Sequence, residues 1–190
     1  MGRIRVLSDQ VANKIAAGEV VERPASVVKE LLENSLDAGA THLRIEVDGG
    51  GSRLIRVADN GCGMLRDDAL LAFERHATSK LSSVAGLDSI ATLGFRGEAL
   101  PSIAAVSRLV LETRSGDEDT GMRVEAAAGR LLRAEEAAMA VGTTVTVRDL
   151  FYSVPARRKF LRSEQTELAH IASLATQYSL AHPGKTFLLR

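Results

Sequence analysis

The chain has 190 residues, of which 45% are hydrophobic, and this is enough for one domain with a sizeable core. Its 24 basic and 24 acidic residues balance to a formal net charge of zero, which argues against a domain with a global basic field for nucleic acid. The single cysteine, Cys62, excludes an internal disulfide, and the sequence shows neither a signal peptide nor a long apolar run, so we expect a soluble cytoplasmic protein without a membrane span.

The first predicted elements are a short apolar arm and a helix. The arm, residues 4–7, is apolar except at Arg5, and Ser8 or Asp9 can cap a helix that continues to about Ala17. Gly18 follows at the position where a glycine commonly ends a helix.

The next helix carries a stripe of polar, mostly acidic side chains. Pro24 suits its first turn, and Gly39 lies just past its end. Helical spacing places four polar residues on one face with no cation among them: Glu30, Glu33, Asn34 and Asp37. Because like charges at this spacing repel, a bound cation would offset the repulsion, and a solvated acidic face is the alternative interpretation.

A β-hairpin and a tight loop follow this helix. Residues 42–47 and 54–58 alternate between apolar and polar side chains, and the glycine-rich segment 48–52 between them predicts the turn. The second strand leads into Asp-Asn-Gly-Cys-Gly at residues 59–63. Two glycines so close together indicate a loop whose backbone passes close to another group.

A second glycine-rich stretch, Leu-Gly-Phe-Arg-Gly-Glu-Ala-Leu at residues 93–100, leads into a helix predicted at 98–105. It follows a helix of about residues 66–74, a polar segment at 75–80 and an expected mobile flap at 82–92. A glycine loop at a helix N-terminus is suited to phosphate, because free N–H groups and the helix dipole both favour negative charge.

The second half of the chain contains four predicted strands, at residues 107–113, 122–127, 131–134 and 143–148. A loop with a basic turn follows at 151–160, then a long helix at 164–180 and a last strand at 186–189. The basic turn includes Arg157, Arg158 and Lys159, and Arg162 follows it. Such a run is typical of a solvated surface, and contact with the DNA phosphate backbone is the alternative interpretation.

The residue types in these segments suggest a specific chemistry. Glu30 can act as a general base for a water molecule, and Asn34 offers a neutral oxygen that suits Mg²⁺ shared with phosphate groups. An ionised Asp59 only accepts hydrogen bonds, so it can receive an exocyclic amino group. Thr143 or Thr144 can hydrogen-bond near Asp59. The histidines and Cys62 are scattered, so a zinc site is not expected.

Four motifs resemble those of the gyrase, heat-shock chaperone, histidine kinase and MutL ATPases. They are Glu30-x-x-x-Asn34-x-x-Asp37-Ala38, Asp59-x-Gly61-x-Gly63, Gly94-Phe95-Arg96-Gly97-Glu98-Ala99-Leu100 and Gly142-Thr143. Residues 15–24, 75–80 and 155–161 resemble the MutL family of DNA mismatch-repair proteins in particular, and the resemblance covers essentially the whole chain.

The resemblance implies an α+β fold, a two-layer α/β sandwich with a mixed, largely antiparallel sheet that binds ATP and Mg²⁺. By this resemblance, Glu30 activates the attacking water, Asn34 binds Mg²⁺ and Asp59 recognises adenine, while residues 75–100 form a lid over the phosphates. The implied ATP-binding set is completed by Asp37, Ala38, Gly63, Met64, Thr78, Ser79, Lys80, Gly94, Phe95, Arg96, Gly97, Glu98, Ala99, Leu100 and Thr143.

The resemblance also implies how the protein works in a larger assembly. Residues 1–190 would be an N-terminal ATPase domain whose first 20 residues are exchanged on dimerisation, followed in the family by a transducer subdomain and a C-terminal dimerisation domain. ATP would close the lid and pair the domains of a homodimer, which recruits the mismatch-recognition protein MutS and a nuclease or helicase on DNA in the bacterial cytoplasm. The alternative function is a chaperone-like or kinase-like nucleotide sensor that binds ATP but barely hydrolyses it.

Overall fold

The computed structural model describes residues 9–74, Ala77 and residues 97–190. The first part of the predicted arm, the flap and most of the predicted lid therefore lie outside the described residues. The same is true of six residues predicted to contact ATP: Thr78, Ser79, Lys80, Gly94, Phe95 and Arg96.

The described ranges contain helices and strands close to those that the sequence predicts. The helices are α1 Asp9–Val20, α2 Pro24–Asp37, α3 Arg66–Leu71, α4 Ala99–Ala105, α5 Pro155–Lys159 and α6 Glu164–Ala181. The strands are β1 His42–Asp48, β2 Leu54–Asp59, β3 Arg108–Arg114, β4 Gly121–Ala127, β5 Arg130–Ala137, β6 Gly142–Arg148 and β7 Thr186–Leu189.

The predicted end of the first helix is wrong, because α1 continues through Gly18 to Val20. The reason lies in a distant side chain. Arg157 donates a hydrogen bond from Nη1 to the carbonyl of Val21 at 3.1 Å, so a carbonyl at this helix end is satisfied without a glycine cap. Gly18 instead gives the guanidinium room, since a Cβ there would overlap it.

Two other boundaries also differ from the prediction. Helix α3 ends at Leu71, and a turn continues the chain to Glu74. Strand β5 is longer than expected and extends to Ala137, because it pairs with β4 along its whole length, with a bulge between Glu125 and Ala126.

Within the described ranges the strands form one seven-stranded sheet in the order β5-β4-β3-β6-β2-β1-β7. All neighbouring pairs are antiparallel except β1 and β7, which run parallel. The prediction of a mixed, largely antiparallel sheet is therefore confirmed. The hairpin of β1 and β2 closes through the 3-10 turn Gly49–Gly51, whose Gly50 at φ 63° lies against the backbone of Glu164.

The register of the strands builds an apolar face that becomes polar at one end. Paired positions align Val57, Val145 and Leu111 in one buried row across β2, β6 and β3. The next row on the same face, two residues away in each strand, consists of Asp59, Thr143 and Thr113. The polar row therefore lies beside the core, at one end of these strands.

The helices cover this apolar face. Helix α2 packs on β1 and β2, α4 packs on β3 and β4, and α6 packs on α2 and on the edge near β7. The apolar side of α2 is fully buried at Val27, Val28 and Leu32. These contacts produce a helical layer on a sheet, as a two-layer sandwich requires. No helix in the described part of the chain is long and apolar enough to cross a membrane.

Candidate nucleotide-binding cleft

A cleft opens between α2, the ends of β2 and β6, and the start of α4. The empty space within it, including the part that is open to solvent, is about 420 Å³. Its walls combine apolar and polar groups: Leu31, Asn34, Ser35, Ala38, Val57, Asp59, Gly63, Met64, Leu100, Thr143 and Val145.

The carboxylate of Asp59 is held in place at the wall of this cleft. Ser35 on α2 donates a hydrogen bond from Oγ to Oδ2 at 2.7 Å, and the backbone N–H of Gly61 donates to Oδ1 at 2.8 Å. A carboxylate has about four lone-pair positions, so these two bonds leave acceptor capacity for a ligand. The side chain is therefore both oriented and able to accept from a donor in the cleft.

Two threonines continue the polar row from Asp59. Thr143 is its register partner on β6, and Thr113 on β3 is the partner of Thr143. The two hydroxyls lie 2.9 Å apart, and Thr113 Oγ1 also accepts from the N–H of Met64 at 3.0 Å. Thr144 pairs with Ala58 instead, so the alternation of side chains turns it to the other face.

The loop after β2 passes as close to its neighbours as its two glycines predict. The N–H of Cys62 donates to the carbonyl of Ala38 at 2.9 Å, which joins the loop to the end of α2. Gly63 has φ 69°, and a Cβ there would lie 1.9 Å from the carbonyl oxygen of Arg114. Gly63 is therefore required both by its backbone conformation and by the lack of space.

The acidic stripe of α2 is divided between two surroundings. Asn34 lines the cleft. Glu30, one helical turn earlier, and Asp37 are not among the residues that line it. Glu33 is buried at 7% exposure and accepts a hydrogen bond from Tyr178 Oη of α6 at 2.6 Å.

The prediction that no cation stands among these carboxylates is wrong. Lys29 Nζ lies 2.9 Å from Glu33 Oε1 and 3.8 Å from Glu30 Oε1. The i,i+4 spacing brings the ammonium to Glu33, and adjacency brings it near Glu30. A bound cation is therefore not needed to offset the repulsion of these two carboxylates.

The pKa values of this group reflect its surroundings. Partial burial alone would lower the pKa of Lys29, but the hydrogen bond and the charges of Glu33 and Glu30 raise that pKa overall. Burial, the hydrogen bond to Glu33 and the two negative charges raise the pKa of Tyr178. The hydroxyl of Tyr178 therefore keeps its proton and acts as a donor to Glu33 at neutral pH.

The described part of the second glycine-rich stretch begins a helix, as predicted. Gly97 has φ 62°, Glu98 is the N-cap residue of α4, and Ala99 is its first residue. Leu100 is 7% exposed and forms part of the apolar wall of the cleft.

The donor set of the cleft fits Mg²⁺ bound together with a phosphate ligand. Among the residues that the structure describes, no group of three or more His, Cys, Asp or Glu side chains could hold a metal ion. Asn34, whose side chain contains a neutral amide oxygen, lines the cleft. Mg²⁺ commonly takes one or two protein ligands and completes its shell with water and phosphate oxygens, so this sparse set is sufficient.

Sequence reasoning missed two polar residues of the site, Ser35 and Thr113, and the apolar wall residues Leu31, Val57 and Val145. A signal for Ser35 existed, because this polar residue shares the side of α2 with Leu31 and Ala38, where apolar residues predominate. No local signal marks Thr113, since its place beside Thr143 depends on the register between β3 and β6.

The predicted basic patch is only partly available to a partner. Arg157 is half-buried and donates to Val21 of α1, so one of the four cations has a structural role. Arg158, Lys159 and Arg162 are exposed at the end of α5 and just after it.

Comparison with known proteins gives consistent matches. Residues 22–135 match the family model described as histidine kinase-, DNA gyrase B- and HSP90-like ATPase. The chain is 78% identical over 189 residues to the DNA mismatch repair protein MutL of Solibacter usitatus and 67% identical over 189 residues to that of Acidobacterium capsulatum. All of the chain is covered in both, but only 29% and 28% of the relatives, so the chain spans about three tenths of their length.

Solved structures match the fold as well. The Aquifex aeolicus MutL ATPase domain complexed with ADP aligns with a TM-score of 0.72 at 39% identity, covering 90% of this chain and 60% of the other. The N-terminal domain of a DNA repair protein aligns with a TM-score of 0.78 at 26% identity, covering 94% of this chain and 51% of the other.

Replacing Gly63 with alanine tests the tight loop at the cleft. We expect Gly63→Ala to lower the free energy of unfolding by about 1–3 kcal/mol, because a side chain meets both a positive φ and a backbone carbonyl. Chemical denaturation measures the change. Gly116→Ala is the matched control, since nothing lies within 4 Å of the added Cβ. Equal stabilities for the two variants would contradict this account of the loop.

Proposed function

The chain belongs to the family of histidine kinase-, DNA gyrase B- and HSP90-like ATPases, and on this premise we propose that its cleft binds ATP and that the protein hydrolyses ATP slowly in DNA mismatch repair. The resemblance seen in the sequence motifs is thereby confirmed at the level of the family. The observation that carries the proposal is the Asp59 carboxylate, held by Ser35 and Gly61 beside an apolar wall.

The shape and chemistry of the cleft support an adenine nucleotide. Asp59 accepts a hydrogen bond from the exocyclic amino group of the base, and Thr143 lies beside Asp59. Val57, Val145 and Leu100 offer apolar surface to the flat faces of the ring. Adenine matches these walls, because it is a planar, mostly apolar ring whose amino group can donate a hydrogen bond to the oriented carboxylate of Asp59.

Catalysis is assigned to the polar side of α2. Glu30 accepts the proton of the water that attacks the terminal phosphate. Asn34 would hold Mg²⁺, and the ion would supply positive charge against the phosphate groups. The glycine-rich residues Gly97 to Leu100 begin the helix that faces the phosphates, and residues 75–100 act as the lid.

The relatives support a role in mismatch repair for the whole protein. We propose that residues 1–190 are an N-terminal ATPase domain, that ATP closes the lid and pairs two copies through residues 1–20, and that the paired state recruits a MutS-type mismatch-recognition protein and a nuclease or helicase in the cytoplasm. ATP must then bind the closed state more tightly than the open one. A nucleotide sensor that binds ATP without appreciable turnover is the alternative, and turnover distinguishes the two.

DNA contact at α5 is a second candidate function. Arg158, Lys159 and Arg162 are exposed, and Phe160 between them is 87% exposed. Three cations around an uncovered aromatic ring suit a flexible polyanion, because phosphate groups meet the charges and a base can stack on the ring.

Asp59→Asn tests the adenine contact. An amide keeps a single acceptor atom, so it cannot serve Gly61, Ser35 and the adenine amino group together, and we expect ATP affinity to fall by about 10-fold or more. The preference for adenine over guanine nucleotides should also disappear. Calorimetry with a non-hydrolysable ATP analogue measures both, and exposed Asp117→Asn is the control. Unchanged affinity and preference would contradict the assignment.

Glu30→Gln tests hydrolysis. The amide is similar in size but cannot accept a proton, so we expect single-turnover hydrolysis in the full-length protein to fall by about 10²–10⁴-fold. Affinity for the ATP analogue should stay within about twofold, since the residue acts on the water. If the wild type hydrolyses ATP and Glu30→Gln does so equally fast, Glu30 is not the base. If the wild type does not hydrolyse ATP, the nucleotide sensor is favoured.

Charge reversal at Lys159 and Arg162 tests the DNA contact. The double substitution to Glu should weaken binding of non-specific DNA by about 10-fold or more at low salt and reduce the slope of log affinity against log salt by about two. Fluorescence anisotropy across a salt series gives both quantities. Arg130→Glu with Arg148→Glu changes the net charge equally at exposed positions elsewhere. Equal losses in the two double variants would indicate a general charge effect and no site at α5.

A further inference from the structure

Four side chains form a connected group between α6 and the catalytic side of α2. Tyr178 Oη donates to Glu33 Oε1 at 2.6 Å, and the same oxygen lies 2.9 Å from Lys29 Nζ. Lys29 Nζ in turn lies 3.8 Å from Glu30 Oε1. The contacts therefore lead from a hydroxyl on α6 to the carboxylate assigned to activate water.

We propose that Lys29 and Tyr178 are positioning residues for ATP hydrolysis, and that Lys29 orients the Glu30 carboxylate while Tyr178, through the buried carboxylate of Glu33, holds Lys29 in place. The inference rests on the proposed role of Glu30. Lys29 is the group that acts on Glu30, and Tyr178 with Glu33 determines where the ammonium of Lys29 stands.

The burial of Glu33 explains why Lys29 has a defined position. Its side chain is 9% exposed, whereas that of Lys29 is 47% exposed. A lysine on a helix surface normally samples many rotamers, and an exposed ion pair restricts them little. A buried carboxylate must keep its partners, because losing one leaves a charge in a poorly solvated place. Glu33 therefore holds the ammonium firmly on this side of α2.

Tyr178 contributes a second donor to the same oxygen. Its hydroxyl keeps its proton at neutral pH, because burial and the neighbouring carboxylates raise the pKa of Tyr178. The donor comes from α6, where the rings of Tyr178 and His182 are nearly parallel with their centroids 6.4 Å apart. Glu33 is thus fixed from a different helix, and its rotamer does not depend on Lys29 alone.

Glu30 is the end of this series of contacts. A general base must stand within hydrogen-bond reach of the proton that it removes, and small displacements of such a group reduce the rate strongly. The ammonium of Lys29 attracts one carboxylate oxygen of Glu30, and this attraction restricts the direction of the other. Without it the carboxylate has more orientations, and fewer of them suit the attacking water.

Three substitutions in the full-length protein test the proposal. Lys29→Met keeps the aliphatic stem without the charge, and we expect single-turnover hydrolysis to fall by about 10-fold with ATP affinity within about twofold. Lys29→Arg keeps the cation and should retain most of the rate. Tyr178→Phe keeps the ring without the hydroxyl and should lower the rate by about threefold to 10-fold, again without loss of affinity.

The double variant of Lys29→Met with Tyr178→Phe shows whether the two substitutions lower the rate through the same contacts or independently. Because Tyr178 acts on Glu30 only through Glu33 and Lys29, removing Lys29 already removes the effect of Tyr178. The double variant should therefore be about as slow as Lys29→Met alone, and the two effects should not multiply. Tyr152→Phe, at the other tyrosine of the chain, is the control for loss of a phenol and should leave turnover unchanged. Thermal unfolding of each variant checks that it is folded under the assay conditions.

The outcomes distinguish this inference from the function on which it rests. If the wild type hydrolyses ATP and Glu30→Gln abolishes it, full turnover in folded Lys29→Met or Tyr178→Phe overturns only the positioning role. Equal losses of rate and ATP affinity, failure of Lys29→Arg to retain the rate, or multiplied effects in the double variant also overturn it. If Glu30→Gln leaves turnover unchanged, both the catalytic assignment and the positioning role fail.

Discussion

The register of β2 against β6, and of β6 against β3, is the constraint on which the cleft depends. It places Asp59, Thr143 and Thr113 side by side on the face that is otherwise apolar. A slip by one residue would turn every side chain of a strand to the opposite face, and the carboxylate would leave the cleft. Gly142 at the start of β6 permits this register, because a Cβ there would lie 2.2 Å from the carbonyl oxygen of Asp59.

Helix α2 serves three surroundings at once, and its periodicity separates them. Leu32 and its apolar neighbours face the sheet, Asn34 and Ser35 face the cleft, and Glu33 faces α6. A buried carboxylate is costly unless its oxygens are paired, and here Tyr178 and Lys29 both approach Oε1. The acidic character of the helix thus serves a helix–helix contact and the proposed ligand site.

The basic run at α5 shows that neighbouring charges in a sequence can have different roles. Arg157 reaches back to Val21 and supports the end of α1, whereas Lys159 and Arg162 remain exposed. Composition treats these cations alike, since each adds one positive charge. Their different roles come from the direction of each side chain at this short helix, and this direction follows from how α5 packs.

The sequence by itself determined most elements and the family, because periodicity and short motifs are local properties. The alternation of β1 and β2, the proline and glycine that bound α2, and the motif around Asp59 all lie within a few residues. Tertiary structure alone decided the partners of the site residues. Ser35 reaches Asp59 across 24 positions, and Tyr178 reaches Glu33 across 145. Register puts Thr143 beside Asp59 and turns Thr144 to the other face, and side-chain packing brings Lys29 to Glu33, and both depend on the whole chain.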